Sequence, residues 1–181
     1  MKNRWEIILT GFGGQGLGLG GQLLAEAAII DNDFNVTHNQ SYGAQARGGA
    51  SQSSVIISSE EIIFPMVDQA DILVALSPEG YSISEEQVNP KEGFIIYDSS
   101  LAINVKGRVK EWGCPFQREI EKLEHPKGIT LMALGTVIEI VKFISPDSMI
   151  KALEKNFSGK ILDINIKAFQ RGQSLGKHYA V

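Results

Sequence analysis

Residues 7–30 run Ile-Ile-Leu-Thr-Gly-Phe-Gly-Gly-Gln-Gly-Leu-Gly-Leu-Gly-Gly-Gln-Leu-Leu-Ala-Glu-Ala-Ala-Ile-Ile, an apolar strand passing through a glycine turn directly into a helix. Gly11, Gly13 and Gly16 fit G-x-G-x-x-G, where missing side chains permit a tight turn, close approach of a ligand to the backbone, and packing of helix on strand. The N-terminus of the following helix offers unpaired N–H groups to an anion. A plain alternative stands beside this: many strand-to-helix turns are glycine-rich only to make the turn.

The rest of a dinucleotide fingerprint is checkable. It calls for an acidic residue at the end of the second strand, about 20 residues past the glycines, to hold ribose hydroxyls. The second strand is expected over residues 34–40 and ends in His38, Asn39 and Gln40. Asp31 and Asp33 precede that strand, at its wrong end, so the turn is present without its ribose clamp.

With 181 residues the chain is expected to form a single domain, residues 1–181, with a substantial core. A net charge of −4 supplies no basic excess for nucleic acid, so none is expected as a partner. No apolar run approaches the roughly 18–20 residues of a membrane span, and the charged first residues do not read as a signal peptide. A cytoplasmic protein is expected. Cys114 is the only cysteine, which excludes an internal disulfide and an iron–sulfur site built from this chain. It reads as a small loop side chain. His38, His125 and His178 have no metal-ligand spacing, and no metal site is expected.

Strands are expected over 6–11, 34–40, 53–58, 71–76 and 93–98, with 62–64 extending the third or forming a short one, and with one more over 105–110. Helices are expected over 15–32, 65–70, from Ser77-Pro78-Glu79 onward, and over 115–123, 129–143, 146–156 and 160–176. The middle of residues 41–54 is too rich in glycine and serine for a regular element. Strands alternating with helices imply a three-layer α/β/α domain with a mostly parallel sheet, a Rossmann-like first βα unit and a helical C-terminal third. Asp98, at a strand end, either faces a ligand edge or caps the next element.

Tyr42-Gly43-Ala44-Gln45-Ala46-Arg47-Gly48-Gly49 follows Gly13-Gly14-Gln15-Gly16 by about thirty residues. The pair resembles the gamma subunit of the 2-oxoacid:ferredoxin (acceptor) oxidoreductases, most closely the 2-oxoglutarate type. That family shows G-x-G-G-Q-G after the first strand and S-Y-G-x-x-x-R-G-G after the second. It then shows a serine-acid-x-I element, here in Ser58-Ser59-Glu60-Glu61-Ile62, and an aspartate-led strand, here Asp71 to Leu76. The similarity extends through Leu134-Gly135 and Asn165 to Gly172. Two positions depart from the pattern: Thr130 stands where asparagine is frequent, and Ala44 where proline is.

The resemblance implies a role in oxidative decarboxylation of a 2-oxoacid to its acyl-CoA, with electrons passing to ferredoxin. It places thiamine diphosphate and Mg²⁺ between alpha and beta subunits and the iron–sulfur clusters in beta and delta subunits, so this chain binds none of them alone and is inactive in isolation. Coenzyme A is the implied co-substrate, accommodated by Gly11, Gly13, Gly14, Gln15, Gly16, Tyr42, Arg47, Gly48 and Gly49, or else these residues touch partner subunits. Arg47 offers a fork of N–H donors suited to phosphate or carboxylate. Self-association of the isolated chain through an uncovered apolar face is also expected. The competing class is a free-standing nucleotide-binding protein or dehydrogenase.

Overall fold

The computed structural model describes residues 2–32, 34–42 and 50–179. Six strands and six α-helices occur among them: β1 (Arg4–Phe12), α1 (Leu17–Asn32), β2 (Asn35–Tyr42), β3 (Ala50–Ser58), β4 (Ile72–Ala75), α2 (Pro78–Ser84), β5 (Phe94–Asp98), β6 (Lys110–Cys114), α3 (Phe116–Lys122), α4 (Ile129–Val141), α5 (Pro146–Asn156) and α6 (Gly159–Gly176). The strand order is β2-β3-β1-β4-β5-β6. β1, β4, β5 and β6 pair in parallel, whereas β3 is antiparallel to both β1 and β2. Reversing twice restores the direction, so β3 alone runs against the other five and the sheet is mostly parallel.

The strands buried on both faces carry apolar runs without alternation, as parallel central strands do. Ile7, Leu9, Ile72, Val74 and Ile96 point to one face, where α1, α3, α4, α5 and α6 cover them. Ile8, Leu73, Ala75 and Ile95 point to the other, against Tyr81 of α2 and Val88. The three layers are therefore lopsided. Over β2 and β3 the thin side is covered by the irregular segment 59–69, whose Pro65 carbonyl accepts from Asn39 Nδ2 at 2.8 Å.

α4 is buried from Ile129 through Ile138. It lies so close to α6 that the Gly172 Cα faces the Met132 carbonyl and the Gly135 Cα faces the Phe169 carbonyl. Helix starts follow the expected chemistry. Ser77 accepts from the Gly80 N–H, Ser145 from the Ser148 N–H, and each is followed by proline.

Four expectations are corrected. Residues 62–64 form no strand: they lie on a loop, with Ile63 and Phe64 facing outward and Ile62 half-buried. Residues 65–70 form no helix; they cross the sheet with their backbone hydrogen-bonded to it. The last strand is Lys110–Cys114 instead of 105–110, set by its register with β5, in which Tyr97 pairs with Gly113. Cys114 is no loop residue but a fully buried strand end, where burial pushes its thiol up to about 11.

Two carboxylates tie helices together. Glu119 of α3 accepts from Arg171 of α6 at 2.8 Å through Nε and pairs with Lys122. The bond from Lys122 does most to hold its carboxyl below the ordinary value of 4.5, against the opposing effect of burial. For Asp31 of α1, burial acts upward, but hydrogen bonds from Ser145 and Ser148 outweigh it and hold the carboxyl below 3.8. A depressed carboxylate contributes stability that is present above its unfolded pKa and lost as pH falls through the folded one. The urea midpoint should therefore drop below about pH 4. Arg171 is well exposed, so screening limits Glu119→Gln to a loss on the order of 1 kcal/mol at pH 7. That difference should vanish at pH 2 in parallel urea titrations of the two proteins.

Candidate functional site

β1 ends at Phe12, and the chain reverses through Gly14 and Gly16, whose φ values are +90° and +79°. Those angles are left-handed, which glycine adopts at no steric cost. Gln15 braces the turn. Its Oε1 accepts from the Phe12 N–H at 2.7 Å, and its Nε2 donates to the Leu76 carbonyl at 3.2 Å, joining the ends of β1 and β4. Gly11 leaves the room for that side chain: a Cβ there would stand 2.2 Å from Gln15 Oε1. Thr130, at the position where asparagine is frequent, fastens α4 to the turn by donating from Oγ1 to the Gln15 carbonyl at 2.8 Å.

The turn opens into a groove of about 370 Å³, lined by Phe12, Gly13, Gly14, Gly16 and the first residues of α1, together with Gln40, Ser51 and Lys127, whose carbonyl lies against Gly16. Lys127 is the single charged side chain among the described lining residues, and no carboxylate is among them. The orphan N–H groups of a first helical turn beside a lysine suit an anion. A smaller, largely apolar cavity of about 130 Å³ adjoins it, sharing Gly16, Leu19 and Lys127 and including His125, whose Nε2 lies 2.8 Å from Asn165 Oδ1.

Of the site residues expected from sequence, Gly11, Gly13, Gly14, Gln15 and Gly16 come together at this edge, with Gly11 and Gln15 engaged in holding the turn. The backbone of Tyr42 pairs with Ser51 at the same edge, where Phe12 pairs with Ala50. Gly43–Gly49, and with them Arg47, Gly48 and Gly49, lie outside the described residues. Lys127 was not anticipated. It sits in a 3₁₀ turn far along the chain, and no local signal in Pro126-Lys127-Gly128 places it beside Gly16.

Other polar groups have structural employment. Asp98 accepts from the Ser100 and Gln117 N–H groups, each at 2.9 Å, and so caps α3 rather than facing a ligand; burial nonetheless pushes its carboxyl up. His38 lies 3.0 Å from Ser53 Oγ, and burial pushes its imidazole down. Among the described residues no three His, Cys, Asp or Glu side chains cluster as a metal would require. No described helix is long and apolar enough to cross a membrane.

The sheet order tests the dinucleotide reading. In a Rossmann unit the second strand lies beside the first in parallel, so that its acidic end meets the ribose. Here β3 intervenes, antiparallel, and β2 contains no Asp or Glu. Fold and site thus define an α/β chain with an anion-suited glycine turn and, among the described residues, no acid at the end of β2 to clamp a dinucleotide ribose.

Comparison with known proteins agrees. The family profile for pyruvate ferredoxin/flavodoxin oxidoreductase matches residues 6–175. The chain is 35% identical to the 2-oxoglutarate synthase subunit KorC of Methanocaldococcus jannaschii, covering 98% of this chain and 96% of that one. The solved gamma subunit of a keto/oxoacid ferredoxin oxidoreductase from Geobacter sulfurreducens superposes with a TM-score of 0.86, 28% identity and 98% coverage of both chains. A third similarity, in fold alone at 22% identity and a TM-score of 0.84, is to 32% of a chain of the Magnetococcus marinus 2-oxoglutarate:ferredoxin oxidoreductase. This chain belongs to the pyruvate ferredoxin/flavodoxin oxidoreductase family, and its full-length matches are to separate small subunits of such enzymes.

Proposed function

We propose that this chain is the gamma subunit of a cytoplasmic 2-oxoacid:ferredoxin oxidoreductase of the 2-oxoglutarate type, with residues 1–181 forming one domain. The observation that carries the reading is the end-to-end similarity to a 2-oxoglutarate synthase subunit. The chemistry it assists is oxidative decarboxylation of the 2-oxoacid to its acyl-CoA, with thiamine diphosphate, Mg²⁺ and iron–sulfur clusters carried by alpha, beta and delta partners and electrons leaving to ferredoxin. Buried Cys114, held protonated at neutral pH, offers neither a nucleophile nor a cluster ligand.

Within that enzyme the carboxyl edge of the sheet accommodates coenzyme A. Gly13, Gly14 and Gly16 present backbone to its phosphates, Gly11 and Gln15 keep the turn in shape, and Lys127, beside Gly16, supplies charge. Tyr42, Arg47, Gly48 and Gly49 are assigned to the same ligand from the sequence motif. The Magnetococcus enzyme of the same fold is described with coenzyme A and succinyl-CoA bound, which supports the assignment of ligand class.

Co-expression with thiamine-binding alpha and beta subunits of a 2-oxoacid oxidoreductase tests the reading. The assembled complex should form an acyl-CoA from 2-oxoglutarate and reduce ferredoxin, while the purified chain alone, supplied with thiamine diphosphate and Mg²⁺, should turn over nothing. Fluorescence titration of the isolated chain with NADH should show no saturable binding; tight binding would favour the dehydrogenase reading instead.

A further inference from the structure

Three large apolar side chains stand in the solvent on segment 59–69: Ile63 is 91% exposed, Phe64 62% and Met66 58%. The segment that carries them is fastened down. The Pro65 carbonyl accepts from Asn39 Nδ2 and Thr37 Oγ1, the Phe64 carbonyl from Arg4 Nη2, and the Asp68 N–H donates to Glu6 Oε2 at 3.0 Å. At its start the Ser59 N–H donates to the Asn3 carbonyl at 2.9 Å. Backbone tied to the sheet while apolar side chains point away holds a knuckle in a preorganised shape, which lowers the ordering penalty of binding.

The surroundings specify the partner. Glu60, Glu61 and Asp68 border the knuckle, all exposed, and residues 59–69 contain no lysine or arginine; Arg4, which reaches the Phe64 carbonyl from β1, is paired with Glu6 at 2.7 Å. Beside it, over the face of β2 and β3, lies a groove of about 420 Å³ lined by Asn39, Ser41, Gln52, Ser54 and Gln87 with Met66, and without charge among the described lining residues. Amides and hydroxyls in such a groove can satisfy the main chain of an overlying segment. A two-fold pairing of this chain through the patch would set its carboxylates against their own copies, a repulsive arrangement.

We infer that the Ile63–Met66 knuckle docks into an apolar socket bordered by lysine or arginine on another protein subunit, while a polar segment of that subunit lies over the amide-lined groove. This rests on the gamma-subunit reading above, which supplies the partner: a larger subunit of the same oxidoreductase. Gln40 lines both this groove and the glycine-turn groove, so the docked subunit would border the coenzyme A edge.

The test uses the co-expressed complex and, for folding, the full chain alone. Phe64→Asp should leave the melting temperature of the isolated chain unchanged, because the side chain contributes little to its core, yet weaken assembly with the partner subunits at least about tenfold. Glu60→Lys with Glu61→Lys should slow association and reduce its sensitivity to salt. If the wild-type chain assembles and acyl-CoA forms, but neither variant alters the affinity, the docking inference fails and the functional reading stands. Loss of a homodimer in the variants with the mixed complex intact would assign the patch to a second copy and overturn the inference. A wild-type chain that joins no thiamine-dependent subunit would overturn both.

Discussion

Gly172→Ala is expected to destabilise the isolated chain by about 3 kcal/mol, because the added methyl meets helix backbone rather than a movable side chain. A Cβ at Gly172 would stand 1.8 Å from the Met132 carbonyl oxygen, and one at Gly135 would stand 2.1 Å from that of Phe169. Both obstacles are helix backbone, so no rotamer change relieves them. α4 and α6 must separate, and α4 is buried along Ile129–Ile138, so separation also loosens the contacts around Leu134 and Phe169. It would stretch the bond that Thr136 Oγ1 donates to the Gly172 carbonyl, at 2.9 Å. Alanine in place of a helical glycine returns roughly 1 kcal/mol of propensity, which the 3 kcal/mol already includes. Equilibrium urea unfolding measures the change, with exposed Ser174→Ala as the near-neutral control on the same helix. A loss under about 1 kcal/mol would mean that the helices part at little cost.

That close approach shows what a one-dimensional reading conveys. Gly135 and Gly172 stood inside strongly helical patterns, where a glycine signals some packing reason, but nothing local pairs two positions in separate helices. The long helices were legible from their length, α1 and α4 as apolar runs and α5 and α6 from a one-sided apolar stripe: α5 falls on the expected residues, and α1, α4 and α6 differ only at their ends. β6 was misplaced by several residues. Lys110-Glu111-Trp112-Gly113-Cys114 has neither alternation nor a β-branched run, and only pairing with β5 makes it a strand. Ile62-Ile63-Phe64 failed oppositely: the apolar run that reads as an extension of the third strand or a short strand of its own belongs to a surface loop, and composition cannot tell the inside of this chain from a face reserved for another. At the candidate site, the glycine turn was visible from its spacing. The brace by Gln15, the fastening by Thr130 and the arrival of Lys127 depend on residues 61 to 115 positions apart in sequence. The direction of β3, which separates β2 from β1 and so breaks the Rossmann pattern, was likewise invisible. Its strand pattern is the same read either way.

Arg47→Ala in the assembled complex should raise the Michaelis constant for coenzyme A about ten- to hundredfold and leave that for the 2-oxoacid nearly constant. The arginine lies in the seven residues between Tyr42 and Ala50, and both of those flanking positions pair at the edge where β1 passes into the glycine turn. A coenzyme carrying several phosphates needs more than one cation, and the described wall of the groove contributes one, Lys127. A charge-assisted hydrogen bond is worth roughly 1.5–3 kcal/mol, which converts to the stated range at about 1.4 kcal/mol per tenfold. Lys127→Ala should act in the same direction, by less, because an exposed ammonium is a screened point charge while a guanidinium can bind in a fork. Arg47→Lys should recover part of the loss, since it restores charge without the fork. The contrast between the two Michaelis constants separates this contact from general damage: misfolding or faulty assembly would lower turnover for both substrates together. Unchanged constants in a correctly assembled Arg47→Ala complex would remove the loop from the coenzyme site, and failure of that complex to assemble would make the arginine a subunit contact.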